Sequence, residues 1–228
     1  MNIKYKLEEI HPKVFLVTMD NSYDLAMTFC RVQEFYESPY KEIRGKYFSM
    51  MEFQRLYTMR RGGDCFTYPI DWAGFNVPSH IIDKCYGYVD TFKDINEYDD
   101  VIQEIDHKIT NSDTDAPKYY LIGAQTGNQC TINHEVSHAF YYLHKGYRKE
   151  ANEIVEKLPE KLFNKFKKHL LGIGYNDKVI KDEIQAYLSS DPENLMDING
   201  TTKKENEIIG ISNIKLKNLK KEYANRKG

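Results

Sequence analysis

Two histidines and a glutamate, His134, Glu135 and His138, form the pattern H-E-x-x-H. Residues four apart on an α-helix differ by about 40° in direction and about 6 Å in rise, so both imidazoles leave the same face. Two nitrogens placed in this way can share one zinc ion, and the glutamate between them can take a proton from a metal-bound water. The pattern therefore predicts Zn²⁺ as the cofactor, His134 and His138 as its ligands and Glu135 as the catalytic base.

The residues around this pattern must place it on a helix. Apolar side chains recur through it at helical spacing, at Ile132, Val136, Ala139 or Phe140, and Leu143. We expect Thr131 to be the N-cap residue and Lys145-Gly146 to end the helix. Residues 119–122 form a short β-type run that ends at Gly123. The sequence thus predicts an amphipathic motif helix that follows a strand.

A catalytic zinc usually has three protein ligands, so a third residue is needed. His144 has the spacing of the pattern H-E-x-x-H-x-x-G-x-x-H, which is typical of metzincins, but Tyr141 occupies the glycine position. Without the turn that glycine allows, His144 stays on the helix, about 15 Å of rise and about 280° from His134. We therefore expect His144 to lie in the last turn of the helix, near its C-terminal dipole, and away from the metal.

Glu183 is the second candidate for the third ligand. Its segment has helical periodicity, carried by Ile180, Ile184 and Leu188. Ala186 shares a face with Glu183, and its small side chain would allow the motif helix to come close. In these two segments the chain resembles the gluzincin branch of the zinc metallopeptidases, in which H-E-x-x-H is followed by E-x-x-A or a similar pattern on a later helix. The resemblance implies that Glu183 completes a His₂Glu zinc site.

The same resemblance implies a zinc metallopeptidase that acts on a peptide or protein. The predicted strands and helices indicate a helix-rich α+β domain with a small sheet beside the motif helix, and the resemblance implies that this domain is zincin-like. Candidates for contact with the oxyanion are Tyr187, Tyr141 and Tyr147, between which spacing does not choose, and Trp72 is a candidate for contact with the substrate. The strand at 119–122 would pair with an extended peptide, as strands that flank the metal helix do in families this chain resembles.

Two other functions fit the same residues. One is a non-catalytic binding or regulatory protein on a zincin-like scaffold. Its metal content and the lack of an open coordination position would distinguish it from a hydrolase. The other is a non-peptidase zinc amidohydrolase such as a deformylase, in which an upstream cysteine is a ligand. Cys85 lies at about the right distance, but its neighbours Asp83, Lys84 and Tyr86 do not resemble the glycine–cysteine segment of that family.

Composition restricts the class of protein further. The 228 residues are 41% hydrophobic and 29% charged, as in globular domains, and a formal net charge of −2 argues against binding to nucleic acid. Apolar runs stay well short of about 18 residues and the first residues lack the apolar core of a signal peptide, so we expect no membrane span and a cytoplasmic location. The four cysteines lack C-x-x-C spacing, which fits reduced thiols. The oligomeric state stays open.

We expect a single metallopeptidase-like domain over residues 1–228. It would comprise an N-terminal part (1–115), the metal-site helices (116–190), and a polar link with a solvated basic C-terminal helix (191–228). Further short strands are predicted at 3–7, 13–18 and 65–68. Helices are predicted at 21–37, 49–62, 79–86, 97–107, 147–171 with a break near Pro159, 177–189 and 213–225. The stretch 68–79 is predicted to be an aromatic loop.

Overall fold

The computed structural model describes residues 3–87, 94–112, 118–198 and 200–226. The chain divides into two compact units, Met1–Asn128 and Gln129–Gly228. Helices dominate and a small sheet accompanies them, so the predicted helix-rich α+β class is confirmed. The expectation of one metallopeptidase-like domain stays a prediction.

The first unit contains a four-stranded sheet. Its strands are β1 (Lys6–His11), β2 (Val14–Met19), β3 (Gly74–Pro78) and β4 (Tyr120–Gln125). Their order is β1–β2–β4–β3, and β4 pairs parallel with β2 on one side and antiparallel with β3 on the other. Because both edges of β4 are already paired, its backbone is not open to an extended peptide. The prediction that this strand binds substrate is wrong.

The helices of the first unit begin and end at residues suited to those positions. They are α1 (Ser22–Glu37), α2 (Met50–Arg61), α3 (Tyr68–Asp71), α4 (Ser79–Tyr86) and α5 (Glu97–Ser112). Asn21 caps α1 by accepting from the backbone N–H of Tyr23, and Ser49 forms a capping box of α2 with Glu52. Gly62 ends α2 at φ 67°, a left-handed conformation that glycine adopts without a steric penalty.

Strand β4 continues through Gly123, its predicted end, to Gln125, and α1 packs closely on it at that glycine. A Cβ on Gly123 would lie 2.5 Å from the ring of Phe29, so only glycine allows this approach. Phe29 also stacks on Phe75 of β3, with ring centroids 5.5 Å apart. The core of the first unit therefore includes the interface between α1 and the sheet.

Two predictions for the segment between α2 and α4 are wrong. Residues 65–68 lie in the described part of the chain and do not form a strand, since Tyr68 begins α3. Pro69 fits the first turn of this helix, where a backbone N–H has no partner to lose. The stretch 68–79 is not a loop throughout, because Gly74–Pro78 forms the edge strand β3. Trp72 lies between the two elements, 6.4 Å from the ring of Tyr68.

The second unit is built of helices in its described residues. They are α6 (Gln129–Leu143), α7 (Lys145–Glu156), α8 (Glu160–Ile173), α9 (Ile180–Ser190), α10 (Pro192–Met196) and α11 (Lys203–Asn225), with a 3-10 turn at Asp177–Val179. Helix α9 packs against α6, α7, α8 and α11 and so lies at the centre of the unit. The predicted break at Pro159 is confirmed, because α7 ends before this proline and α8 begins directly after it.

The basic C-terminal helix belongs to the core of this unit. It begins at Lys203 and not near 213, because Thr202 and Glu205 form a capping box that starts it earlier. Leu216 and Tyr223 are buried, so the expected solvated helix has one face packed. None of the helices in the described ranges is long and apolar enough to cross a membrane.

Candidate metal centre

Helices α6 and α9 bring the three predicted ligands together. His134 and His138 lie one turn apart on α6, with their Nε2 atoms 3.1 Å from each other. Glu183 lies in the first turn of α9, and its Oε2 atom is 3.6 Å from each of these nitrogens. The Glu183 residue is only 4% exposed. The three side chains thus form a cluster that could hold a metal ion.

The spacing of the three atoms suits a first-row metal ion. Ligand atoms about 2.0–2.1 Å from a tetrahedral zinc lie about 3.3–3.4 Å from one another. The observed separations of 3.1, 3.6 and 3.6 Å differ from that spacing by only a few tenths of an ångström. Two imidazoles and one carboxylate are also a donor set found in catalytic zinc sites, which keep a fourth position open.

Hydrogen bonds on the far side of each ring determine which nitrogen faces the cluster. His138 Nδ1 lies 2.9 Å from Asp182 Oδ1 and donates to it, since a carboxylate only accepts. His134 Nδ1 lies 3.3 Å from Ser190 Oγ, and that hydroxyl donates its own proton to the Ala186 carbonyl at 2.7 Å. Ser190 is therefore left to accept from His134. With both Nδ1 atoms protonated, both Nε2 atoms present lone pairs to the cluster.

Without a bound cation or proton, three acceptor atoms would therefore face one another in the interior. Among the described residues, the buried Oε2 atom of Glu183 has no hydrogen-bond partner. Two nitrogen lone pairs and a carboxylate oxygen at these distances repel each other until a cation or a proton lies between them. This oxygen distinguishes the cluster from a buried histidine pair whose hydrogen bonds are satisfied.

The charges around His138 favour a cation at this place. Burial alone would lower the pKa of His138, but the carboxylates of Asp182, Glu183 and Glu135 outweigh burial and raise that pKa well above its ordinary value. The same negative field stabilises a divalent metal ion, which has to displace the proton in order to bind.

Glu135 and two tyrosines surround the cluster. Glu135 is buried, and its charge acts on His138, Tyr175 and Tyr187. The ring of Tyr187 packs on His134 with centroids 4.7 Å apart, and its hydroxyl lies 3.2 Å from that of Tyr175. Burial raises the pKa of Tyr187 to about 12, so its hydroxyl keeps its proton at neutral pH and can act as a donor.

Three other residues considered from the sequence have different surroundings. Tyr141 donates its hydroxyl to Asn152 at 2.8 Å. Trp72 and Cys85 belong to the first unit. Burial raises the pKa of the Cys85 thiol to about 12, which opposes the thiolate form that a metal ligand requires. Contact of Tyr141, Trp72 or Tyr187 with a substrate stays a prediction.

The bounds of α6 differ from those predicted at both ends. The helix begins at Gln129, so Thr131 lies inside its first turn and is not the N-cap residue. It ends at Leu143, and Lys145 begins α7 instead of ending α6. His144 has an extended backbone, with φ −111° and ψ 101°, and occupies the N-cap position of α7. It lies outside the cluster of His134, His138 and Glu183, as expected, but not in the last turn of α6.

Sequence reasoning missed the residues that orient the ligands. Asp182 directly precedes Glu183 and bonds His138. An acidic residue next to an expected ligand is a signal in the sequence that could have indicated this orienting role. Ser190 lies about two turns further along α9, and nothing in its local sequence indicates contact with His134. Such contacts depend on how α9 is rotated against α6.

Comparison of the chain with protein-family models, with curated proteins and with solved structures found no match in any of the three. Function has to be inferred from the chemistry of the site.

Proposed function

We propose that this chain is a zinc-dependent hydrolase of the metallopeptidase type, with His134, His138 and Glu183 as its metal ligands. The observation that supports this most strongly is the unpaired, buried Glu183 oxygen that faces two Nε2 lone pairs among the described residues. Zinc held there would supply a Lewis acid that polarises a carbonyl and lowers the pKa of water towards about 7. Two imidazoles disfavour calcium and magnesium, which prefer oxygen ligands.

Glu135 would be the general base. Its carboxylate is buried and acts electrostatically on His138, which places it near the cluster. In the proposed reaction it accepts a proton from the attacking water and then donates that proton to the leaving amide nitrogen. Water is thereby added across the peptide bond, and Glu135 returns to its ionised form.

Tyr187 would hold the carbonyl oxygen of the substrate. Its hydroxyl is protonated at neutral pH and lies beside His134, so it can donate to an oxygen on which negative charge develops. The neighbouring Tyr175 hydroxyl, 3.2 Å away, would hold the Tyr187 hydroxyl in place.

We infer a peptide or protein substrate from the resemblance of the motif to that of the gluzincins.

The cysteines bear on where the reaction would take place. All four cysteines are free thiols. Free thiols are the normal state in the reducing cytoplasm. We therefore infer cytoplasmic action.

Replacing Glu135 with glutamine tests the proposed reaction. Glutamine keeps the size of the side chain but cannot accept the proton. We expect the zinc-loaded native chain to cleave members of a mixed peptide library, and Glu135→Gln to keep its zinc while losing about 10²–10⁴-fold in rate. Products would be measured by mass spectrometry and zinc by elemental analysis.

The control variant is Glu153→Gln, because Glu153 is an exposed glutamate on α7. It should cleave at the native rate. Native-rate cleavage by Glu135→Gln would contradict its role as base. A zinc-loaded native chain that cleaves no peptide would instead favour the non-catalytic binding protein.

A further inference from the structure

A chain of hydrogen bonds leads from the metal-facing histidine into the core of the second unit. The Tyr147 hydroxyl donates to Gln185 Oε1 at 2.9 Å, and Gln185 Nε2 donates to Asp182 Oδ1 at 2.9 Å. The same Asp182 oxygen accepts from His138 Nδ1, also at 2.9 Å. Tyr147 and Gln185 have no exposed surface. The chain therefore connects α7 to His138 through two residues of α9.

The direction of each donor in this chain follows from the carboxylate at its outer end. Asp182 Oδ1 only accepts, so Gln185 turns Nε2 towards it and presents Oε1 to the Tyr147 hydroxyl. Burial raises the pKa of Tyr147, so its hydroxyl keeps its proton and donates it to Oε1. Asp182 thus receives two N–H donors, one from Gln185 and one from His138 Nδ1, and His138 Nε2 faces Glu183.

We propose that Tyr147 and Gln185 are positioning residues for the metal centre, acting on metal affinity through Asp182 and His138. This inference rests on the proposed function of the site as a metal centre. Neither residue touches the ligand atoms that face the ion. Their effect is to hold the carboxylate that orients His138, as outer hydrogen-bond partners of metal-binding histidines do.

The hydroxyl of Tyr147 can be separated from the packing of its ring. The ring contacts Phe140 and Tyr223 edge-on, with centroids 5.9 and 5.6 Å away. Phenylalanine at 147 keeps these contacts and removes only the donor. Gln185 Oε1 would then lack its donor in a buried place, and the amide could rotate to turn its oxygen towards Asp182. An amide oxygen facing a carboxylate is repulsive, so Asp182 would shift and His138 would lose its orientation.

Zinc affinity of the full-length chain tests this proposal. The dissociation constant would be measured by competition with a chromogenic chelator. We expect Asp182→Asn to weaken zinc binding about 10–100-fold, and Tyr147→Phe to weaken it by a smaller factor of about 3–10. The matched control is Tyr223→Phe, which removes a hydroxyl from the same aromatic cluster. That hydroxyl donates to Glu150 at 3.0 Å and not to Gln185. The control should bind zinc within about twofold of the native chain.

A second measurement separates positioning from general destabilisation. Imidazole ¹⁵N chemical shifts report which ring nitrogen carries the proton. In the zinc-bound native chain, His138 should show protonated Nδ1, and Tyr147→Phe should change its Nδ1 signal while Tyr223→Phe leaves it as it is. If Tyr147→Phe fails to fold, Gln185→Met removes the same connection and should weaken zinc binding at least as much.

Equal zinc affinities and equal His138 signals in Tyr147→Phe and Tyr223→Phe would overturn the positioning role. A native chain that binds no zinc would contradict the proposed metal site itself. A native chain that binds zinc without cleaving peptides would contradict only the hydrolase, because the affinity comparison does not require turnover.

Discussion

At the scale of single residues, the candidate metal centre is defined by where its protons lie. His134 and His138 use their Nδ1 hydrogens to bond Ser190 and Asp182, so their Nε2 atoms face the cluster. Glu183 then provides the one negative charge among the three ligands. A divalent ion bound by two neutral ligands and one carboxylate keeps a net positive charge, which a Lewis acid requires.

Glu34 carries a prediction of how stability depends on pH. It is buried in the first unit, and burial raises its pKa to about 7, against hydrogen bonds from Ser38 and Tyr68 that lower it. The pKa of Glu34 in the folded chain exceeds the ordinary value of 4.5. The protonated carboxyl group therefore contributes fully to the stability of the fold below pH 4.5, and this contribution is lost as the pH rises to about 7. Glu34→Gln cannot ionise and should avoid this loss.

The stability of Glu34→Gln relative to the native chain should therefore increase by roughly 2–3 kcal/mol between pH 5 and pH 8. Urea unfolding at each pH measures it. The control is Asp64→Asn, an exposed change in the same unit, which should keep the native pH profile. Parallel stability curves for Glu34→Gln and the native chain would show that burial of this carboxyl has no energetic cost.

At the scale of elements, the site depends on two helices that are distant in sequence. That His134 and His138 share a face could be predicted from their close spacing on one helix, whereas Glu183 was suggested by the resemblance to gluzincins, and the structure brings it to the same cluster. The contact of Asp182 with His138 could not, since it depends on the rotation of α9 against α6. The end of α6 was misplaced because Lys145-Gly146 has the composition of a helix end, yet both residues continue into α7.

Strand β3 shows a different limit of sequence reasoning. Four of its five residues, 75–78, are buried, so it lacks the alternation of polar and apolar residues that identifies a half-buried strand. Its flanking prolines and aromatics indicate a loop, although a proline at the end of an edge strand is well tolerated. The strand forms because β4 offers a partner 42 or more residues away, which no local pattern reveals.

An ion pair between α1 and α5 carries the prediction for this scale. Arg31 donates to both oxygens of Asp99, at 2.7 and 3.0 Å, in the buried interior of the first unit. Tyr86 donates to the same carboxylate. Asp99→Asn should lower the free energy of unfolding by about 3 kcal/mol, because it leaves a buried guanidinium with too little negative charge. Urea unfolding measures the loss.

The surface pair between Arg60 and Glu42 is the matched comparison, since both side chains are exposed. Glu42→Gln should cost less than about 1 kcal/mol. Similar losses in Asp99→Asn and Glu42→Gln would mean that the buried pair does not hold α1 and α5 together.

At the scale of the whole molecule, the three candidate ligands and the residues that bond their far sides all lie within Gln129–Gly228. Ligand binding to the folded form alone stabilises it by mass action. Zinc at about 100 times its dissociation constant should therefore raise the free energy of unfolding of this unit by about 2.7 kcal/mol. Calorimetry in zinc and in chelator measures the shift. His134→Ala should unfold at the same temperature in zinc and in chelator. A native chain whose unfolding temperature is also the same in zinc and in chelator would contradict the proposed metal site.

Metal analysis of the purified chain tests the central claim most directly. The His134, His138 and Glu183 cluster predicts one zinc ion per native chain and loss of that zinc in His134→Ala and Glu183→Ala. His144→Ala should keep it, because His144 lies outside the cluster. Zinc that is absent from the native chain, or kept in Glu183→Ala and lost in His144→Ala, would contradict the proposed centre.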